Sequence, residues 1–298
     1  MTGRFEAKLR AGKFVITAEI SPPLSSDPAD LLARAMPLAP LADAINVTDG
    51  ASARAHMSAL AAAAILVQHG CEPILQFTCR DRNRIGLQSD LIGAAVLGVR
   101  NVLMLTGDDP RAGDQPDAKP VFDLDSRKLI ATAVRIRDRH ELPSGRKVAG
   151  RADFFIGVAD TPLEPPPGWA PTSLRHKIAV GAQFAQTQFC MDAGIARRYM
   201  QRLAEEGITE QIFILIGIAP LPSARSALWI REHLPGSIIA DAIIDRLARA
   251  GDPASEGKRI CIELLRELAE IPGVRGAHLM APGNHRALAE VIAEARSG

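Results

Sequence analysis

Short apolar segments alternate with longer helical segments along the chain, and this alternation restricts the fold more than any other feature. Apolar runs predict eight strands, at residues 14–20, 44–48, 73–78, 101–106, 153–159, 183–188, 211–217 and 276–280. Strands that are apolar on both faces are typical of a parallel sheet covered by helices. Eight such units predict one α/β domain over residues 1–298, a closed (β/α)8 TIM barrel.

Helical patterns fill the spaces between these strands. They predict helices at 30–41, 52–68, 89–97, 126–140, 173–180, 193–206, 223–234, 238–250, 258–271 and 287–295. Ser126 is expected to cap the helix at 126–140. The alternative is a Rossmann-type sheet, which requires Gly-x-Gly-x-x-Gly after its first strand. Ser21-Pro22-Pro23 stands there instead, so the barrel is favoured.

Composition excludes several classes of partner. Lys and Arg number 35 against 34 Asp and Glu, a balance that argues against a nucleic-acid partner. The first 13 residues lack the apolar core of a signal peptide, and no apolar run reaches 18 residues, so we expect no membrane contact. The four cysteines have no zinc-finger or Cys-x-x-Cys spacing, which predicts reduced thiols, no metal site and a cytoplasmic location.

In a barrel, functional residues lie at the carboxyl ends of the strands. Glu19 is the most informative residue there, because it interrupts an apolar run. A buried ionised carboxylate is costly unless it is paired, protonated or next to water. Two interpretations of Glu19 remain open: it forms an ion pair with an arginine such as Arg80, or it has a catalytic role. Burial raises the pKa of a carboxyl group, which suits a general acid near neutral pH.

Other polar residues near the strand ends have both a structural and a functional interpretation. Asp108 follows Gly107 in an Asp-Asp-Pro sequence, which favours a turn residue or a helix N-cap. Gln186 and Gln188 have the same strand parity, so they predict a polar core layer or a hydrogen-bonding site.

Three arginines cluster after the third predicted strand, and four histidines are isolated in the sequence. Arg80, Arg82 and Arg84 predict a solvated loop, or a grip on an anion. The isolated histidines are expected to be structural or on the surface: His56, His176, His278 and His285.

Six motifs occur in a fixed order over nearly the whole chain. They are TAEISPP at 17–23, NVTDG at 46–50, QFTCRDRN at 76–83, LGVRNVLMLTGDDP at 97–110, VFDL at 121–124 and KIAVGAQFAQTQ at 177–188. In this order they resemble the motifs of the methylenetetrahydrofolate reductase family, whose members are flavin-dependent (β/α)8 barrels. The resemblance implies that NAD(P)H reduces a bound FAD and leaves. A reduced folate then takes its place and is converted to 5-methyltetrahydrofolate, in a ping-pong cycle.

The resemblance also implies catalytic and substrate-binding roles for three residues. Glu19 matches the family's glutamate, which delivers a proton toward N10 of the folate and so opens its ring to a 5-iminium cation. Asp108 matches an aspartate near flavin and folate whose charge stabilises that cation. Gln188 matches a glutamine that contacts folate and nicotinamide in turn.

Cofactor contacts are carried over in the same way. Thr48 matches a flavin-contacting threonine and Lys177 a basic residue near the flavin. The other expected contacts are Gln76, Thr78, Thr106, Gly107, Asp108 and Gly157. Some relatives have His at the position of Gln76, Tyr at that of Gly157 and an aromatic residue at that of Ala224. Direct hydride transfer from NAD(P)H, without flavin, is therefore an alternative. Relatives commonly form dimers or tetramers, which implies a homo-oligomer.

Two other functional classes are alternatives to a reductase. A Schiff-base lyase or aldolase needs a lysine on a strand, and none of the predicted strands contains one. A non-catalytic folate-binding barrel would bind the folate without oxidising NAD(P)H.

Overall fold

A closed barrel of parallel strands forms the centre of the computed structural model, which describes residues 2–281 and 284–297. The strands are β1 Val15–Ile20, β2 Ala44–Val47, β3 Pro73–Thr78, β4 Asn101–Leu105, β5 Phe155–Asp160, β6 Phe184–Met191, β7 Phe213–Ile218, β8 Ile238–Ile239 and β9 Val274–Leu279. Neighbours pair in order from β1 to β7, and β9 pairs with both β7 and β1. The eight-stranded (β/α)8 barrel is therefore confirmed.

Helices surround this barrel. They are α1 Arg4–Arg10, α2 Pro28–Ala35, α3 Ala59–Gln68, α4 Arg84–Val96, α5 Ser126–Arg139, α6 Thr172–Ala179, α7 Ala193–Glu205, α8 Ala224–His233, α9 Asp241–Arg249, α10 Pro253–Ala269 and α11 His285–Ser297. Across the described ranges, no helix combines the length and the apolar character needed to cross a bilayer.

Several local predictions were wrong at helix starts. The predicted helix at 52–68 begins only at Ala59, because Ser52 and Ala53 adopt φ values of 55° and 53° in a short 3-10 turn. Ser126 does not cap α5. The cap is Asp125, whose carboxylate accepts a hydrogen bond from the Lys128 backbone N–H. Because an aspartate side chain reaches the free amides of a first turn readily, it takes this position from the serine.

Two elements were not predicted. Helix α1 lies at the amino end of the barrel, where Phe5 and Leu9 are fully buried against its interior. The residues 238–239 were expected to begin a helix, but they form β8, which pairs with the extended end of β6. Both elements depend on a partner distant in the sequence, so the local pattern did not indicate them.

The barrel interior is layered. Its amino end is apolar, and the rings of Phe155 and Phe184 stack there at 4.9 Å between centroids. Above this lies a group of four buried polar side chains, which we call the polar layer: Thr17, Asn46, Gln186 and His278. The barrel mouth, at the carboxyl ends of the strands, lies above the polar layer. This arrangement places polar chemistry at one end and hydrophobic packing at the other.

Candidate active site

Glu19 lies near the carboxyl end of β1, with its side chain on the inward face. Its neighbours Ala18 and Ile20 belong to the outer hydrophobic core, and strand alternation turns Glu19 the other way. Its side chain is 21% exposed, and Oε2 accepts a hydrogen bond from Gln76 Nε2 at 2.9 Å. His278 Nε2 lies 3.5 Å from the same oxygen. Glu19 is thus approached from β3 and from β9 while still reaching the mouth.

Arg80 does not pair with Glu19, which was the structural alternative. Its guanidinium donates to the Asp81 carboxylate at 2.7 Å and to the Gly50 carbonyl at 3.0 Å. The rest of the arginine cluster is also paired with carboxylates: Arg82 with Asp49 and Asp90, and Arg84 with Asp123. Because each guanidinium already has a negative partner, the cluster is a structural ion-pair network at the strand ends.

Asp108 joins two loops of the mouth. Its Oδ2 accepts a hydrogen bond of 2.9 Å from the Ser52 backbone N–H, in the loop that follows β2. The N-cap of the adjacent 3-10 turn is Asp109, which accepts from the Arg111 N–H. The capping role considered for Asp108 therefore belongs to Asp109. The carboxylate of Asp108 is exposed and can act on a ligand.

Gly107 makes this turn possible. It has φ of +97°, and a Cβ there would lie 3.0 Å from the Arg80 Cβ and 3.1 Å from the Thr78 Cβ. Glycine adopts this conformation without steric cost, so the residue sets the direction in which Asp108 leaves β4. Thr106 is exposed, and its carbonyl accepts from the Cys79 N–H at 3.1 Å.

The two threonines of the neighbouring strand ends differ in their bonding. Thr78 donates to Asp49 Oδ2 through both its backbone N–H, at 2.8 Å, and its hydroxyl, at 3.0 Å. Thr48 is buried, and its Oγ1 has no hydrogen-bond partner among the residues described. An unsatisfied buried hydroxyl is costly, so Thr48 is the better candidate for a ligand contact.

Gly157 and Lys177 lie on the other side of the barrel. A Cβ on Gly157 would lie 2.2 Å from the Phe184 ring, so that ring already fills the space inside β5. Lys177 on α6 donates to the Ala159 carbonyl at 2.6 Å. Burial lowers the pKa of Lys177, while the negative charge of Asp160 opposes this shift.

Asp160 belongs to a small buried group that the sequence did not single out. Its carboxylate accepts the hydroxyl hydrogen of Tyr199 on α7. Burial raises the pKa of Asp160, although this hydrogen bond and the charge of Lys177 act in the opposite direction. The group ties β5, α6 and α7 together behind the mouth.

Gln186 and Gln188 occupy different environments despite their equal parity. A register shift between Gln186 and Phe189 interrupts the pairing of β6 with β7. Gln186 is buried in the polar layer, whereas Gln188 is half-buried and its Oε1 accepts from the Phe189 N–H at 3.0 Å. This bulge moves Gln188 out of the regular alternation that the prediction used.

His278 and His285 both adjoin Glu19, although they were predicted to be structural or surface histidines. His278 is buried in the polar layer. Burial lowers the pKa of His285, and the Arg34 charge adds to this, whereas Glu19 opposes it. His278 was detectable in principle, since a polar residue at inward parity on an apolar strand must find a partner. No group of three or more His, Cys, Asp or Glu side chains in the described segments is arranged to hold a metal ion.

A barrel of this kind, with a partly exposed carboxylate above a hydrogen-bonded polar layer, has the architecture of the α/β-barrel enzymes. Comparison of its sequence with known families identifies the protein family. The methylenetetrahydrofolate reductase family profile matches residues 4–296, and the chain belongs to this family.

Individual relatives agree with this assignment. The chain is 26% identical over 242 residues to a probable methylenetetrahydrofolate reductase (NADPH) of Caenorhabditis elegans, an alignment that covers 78% of this chain and 33% of that protein. It is 29% identical over 160 residues to the 5,10-methylenetetrahydrofolate reductase of Pectobacterium carotovorum subsp. carotovorum, covering 52% of this chain and 46% of that protein. The alignments thus span less than half the length of either relative.

Solved structures show the same fold at low sequence identity. A Clostridium thermocellum protein that binds two copies of 5-methyl-5,6,7,8-tetrahydrofolic acid aligns with a TM-score of 0.65 at 14% identity, over 98% of both chains. A 2,3-dimethylmalate lyase aligns with a TM-score of 0.52 at 16% identity, over 100% of this chain and 86% of the lyase. At these identities the likeness establishes the barrel and not the reaction.

Proposed function

We propose that the protein reduces 5,10-methylenetetrahydrofolate to 5-methyltetrahydrofolate with NAD(P)H. Family membership supports the reaction, and the C. elegans relative is named for NADPH. The folate bound by the C. thermocellum barrel supports the substrate class. The observation that carries the proposal is the placement of Glu19, which is inward, partly exposed and held through one oxygen only.

Glu19 is the general acid in this proposal. Its other oxygen, Oε1, which has no hydrogen-bond partner among the described residues, carries the proton and delivers it toward N10 of the folate as the bond from N10 to the methylene carbon breaks. The folate becomes a 5-iminium cation, ready to accept hydride, and Glu19 becomes a carboxylate. The donors on Oε2 then stabilise the negative charge that forms.

Asp108 and Gln188 act on the substrate beside Glu19. The exposed Asp108 carboxylate provides negative charge for the iminium cation, and its bond to the Ser52 N–H keeps it in place. Gln188 presents an amide that both donates and accepts, which suits contacts first with nicotinamide and then with the pterin.

A bound FAD would accept hydride from NAD(P)H and pass it to the folate methylene carbon. The unsatisfied hydroxyl of Thr48 fits a flavin contact, and Thr106 and Gly107 offer backbone at the adjoining strand end. Together with Asp108, these residues would hold the ring. We assign them to FAD in a ping-pong cycle.

Direct hydride transfer from NAD(P)H is the second candidate, and two specific observations favour it. The amide of Gln76 is bonded to Glu19, and the space beside Gly157 is filled by Phe184. Two of the contacts expected for flavin are therefore used inside the protein.

Three measurements separate these possibilities. The absorption spectrum of freshly purified protein shows flavin bands if FAD is retained. NADH and NADPH oxidation is then followed with and without 5,10-methylenetetrahydrofolate, and the product is identified by chromatography. Formation of 5-methyltetrahydrofolate by colourless protein establishes direct transfer. Folate binding without any NAD(P)H oxidation rejects the proposed reaction and leaves a non-catalytic folate-binding barrel.

We further propose a cytoplasmic homo-oligomer. The four cysteines, at 71, 79, 190 and 261, are unpaired, which suits a reducing compartment. Sedimentation of the purified protein tests the assembly state, and a monomeric mass at micromolar concentration contradicts it.

A further inference from the structure

The polar layer lies beneath Glu19 in the barrel interior. Thr17, Asn46, Gln186 and His278 come from four strands and are at most 3% exposed. Polar groups this deep are stable only when they are hydrogen-bonded to one another. The layer joins the apolar amino end of the barrel to the proposed general acid, and the reaction described above does not use it.

Hydrogen bonding in the layer begins with a pair of amides. Asn46 Nδ2 donates to Gln186 Oε1 at 2.6 Å, and Gln186 Nε2 donates back to Asn46 Oδ1 at 3.0 Å. Gln186 Nε2 uses its second hydrogen on Thr17 Oγ1, also at 3.0 Å. The hydroxyl of Thr17 therefore accepts from Gln186 and must donate its own hydrogen elsewhere.

The only other partner of that hydroxyl in the described chain is His278 Nδ1, at 2.9 Å. Gln186 Nε2 also lies 3.4 Å from Nδ1, but its two hydrogens are already directed at Asn46 and Thr17. Because the Thr17 hydroxyl has no other acceptor for its hydrogen among the described residues, Nδ1 accepts it, so the hydrogen of the neutral imidazole resides on Nε2. That nitrogen is the one directed at Glu19 Oε2, 3.5 Å away.

The tautomer of His278 affects the two oxygens of the Glu19 carboxyl group differently. Gln76 donates a hydrogen bond to Oε2 and His278 Nε2 faces the same oxygen at 3.5 Å, while Oε1 has no hydrogen-bond partner within residues 2–281 and 284–297. The two oxygens are therefore not equivalent. Donors on Oε2 stabilise the carboxylate product, and the proton of the acid form is confined to Oε1, on the open side.

We propose that His278, as its Nε2–H tautomer set by Thr17 and Gln186, is a positioning residue that holds Glu19 so that Oε1 delivers the proton. This inference rests on the proposed function. In the step, the Oε1–H bond breaks and a bond from N10 to hydrogen forms. The electrons of the bond between N10 and the methylene carbon remain on N10. The histidine gains and loses no proton.

Two substitutions of His278 distinguish the contributions of its two ring nitrogens. In H278N the amide oxygen replaces Nδ1 and still accepts from Thr17, but nothing reaches Glu19. In H278Q the longer side chain places an amide N–H near the position of Nε2. We expect H278N to lower kcat for folate reduction by roughly ten- to a hundredfold, the loss typical of a hydrogen bond to a charged group, and H278Q to recover most of it. KM for NAD(P)H should change less than twofold in both.

A structural role would produce a different result. It would lower the melting temperature and both kinetic constants together, without rescue by glutamine. Equal loss of kcat in H278N and H278Q, or no loss in H278N, overturns the proposal.

Imidazole nitrogen NMR tests the tautomer without any turnover. The His278 signals, assigned by their disappearance in H278Q, should show a protonated Nε2 and an unprotonated Nδ1, and E19A should shift the Nε2 signal. A protonated Nδ1, or no response to E19A, contradicts the proposal even if the protein proves inactive toward 5,10-methylenetetrahydrofolate. Conversely, inactive wild-type protein with the expected NMR signals rejects the proposed function and retains the hydrogen-bond assignment.

Discussion

At the scale of single residues, the carboxyl group of Glu19 lies on an apolar strand and is hydrogen-bonded through only one of its oxygens among the described residues. Oε2 of Glu19 accepts a hydrogen bond from Gln76 and lies 3.5 Å from His278 Nε2, and the side chain is 21% exposed. Full pairing with an arginine would neutralise the group and hold both oxygens, whereas full burial would isolate it from substrate. The observed arrangement leaves the group reactive at one atom.

Substitution of Glu19 by glutamine tests this directly. Glutamine keeps the shape and an oxygen for the donors of Gln76 and His278, but it has no acidic proton. We expect the reductive half-reaction with NAD(P)H to persist and folate reduction to fall by roughly 10²–10⁴-fold. Stopped-flow measurement of each half-reaction checks this, with the exposed Glu210→Gln as control. Equal loss in both half-reactions would exclude the proton-donor role.

Asp108 provides a second test at a single residue. Asparagine retains an oxygen for the Ser52 N–H and nearly the same shape, but it removes the negative charge. Loss of one preorganised charge near the iminium should slow folate reduction roughly ten- to a hundredfold. Rapid-mix assays of the folate step measure the effect, with exposed Asp117→Asn as the matched control. Unchanged turnover would place Asp108 outside the mechanism.

At the scale of secondary-structure elements, α1 closes one end of the barrel. Its Phe5 ring packs edge-on against Phe184, with 5.3 Å between centroids, and also against Phe155 at 5.9 Å. The Glu72 carboxylate accepts from the backbone N–H groups of Arg4 and Phe5 and so satisfies free amides of the first turn. Helix α1 thereby covers the apolar interior below the polar layer.

Truncation of Phe5 should therefore be costly although the residue is near the amino terminus. Phe5→Ala removes a fully buried ring and leaves a cavity, which typically costs about 3–5 kcal/mol in unfolding free energy. Chemical denaturation measures the change, and Ala7→Ser on the exposed side of α1 is the control. A loss below about 1 kcal/mol would mean that α1 does not contribute to the folded core.

At the scale of the whole molecule, ring closure determines which residues meet. Because β9 pairs with β1, Thr17 and His278 become neighbours although they are 261 positions apart. The same closure surrounds the polar layer with strands on every side. The site thus depends on complete assembly of the barrel and not on any one segment.

The cysteines report on that assembly. Cys79, Cys190 and Cys261 are buried, and burial raises the pKa of the Cys79 thiol to about 11 and that of Cys190 to about 12. The thiolate is the reactive form, so at pH 8 these thiols should resist modification until the barrel unfolds. Burial also raises the pKa of Cys71, but this thiol is partly exposed.

We expect a disulfide reagent at pH 8 to modify Cys71 first and the other three only with global unfolding. Thiol counting during denaturant titration, with Cys71→Ser as control, measures this. Rapid modification of more than one thiol in native buffer would show that the barrel opens locally.

The alternation of apolar strands and helices was sufficient to predict the barrel, because burial on both faces imposes its pattern locally on every strand. The apolar run around Glu19 likewise singled out this carboxylate, and the order of motifs indicated the family. The tertiary structure decided what those residues touch. Gln76 reaches Glu19 from β3, across β2, and His278 reaches it from the adjacent β9. Arg80 pairs with Asp81 instead of Glu19. A bulge in β6 separates the environments of Gln186 and Gln188. Contacts between distant segments arise from strand pairing and closure, and no local pattern of residues encodes them.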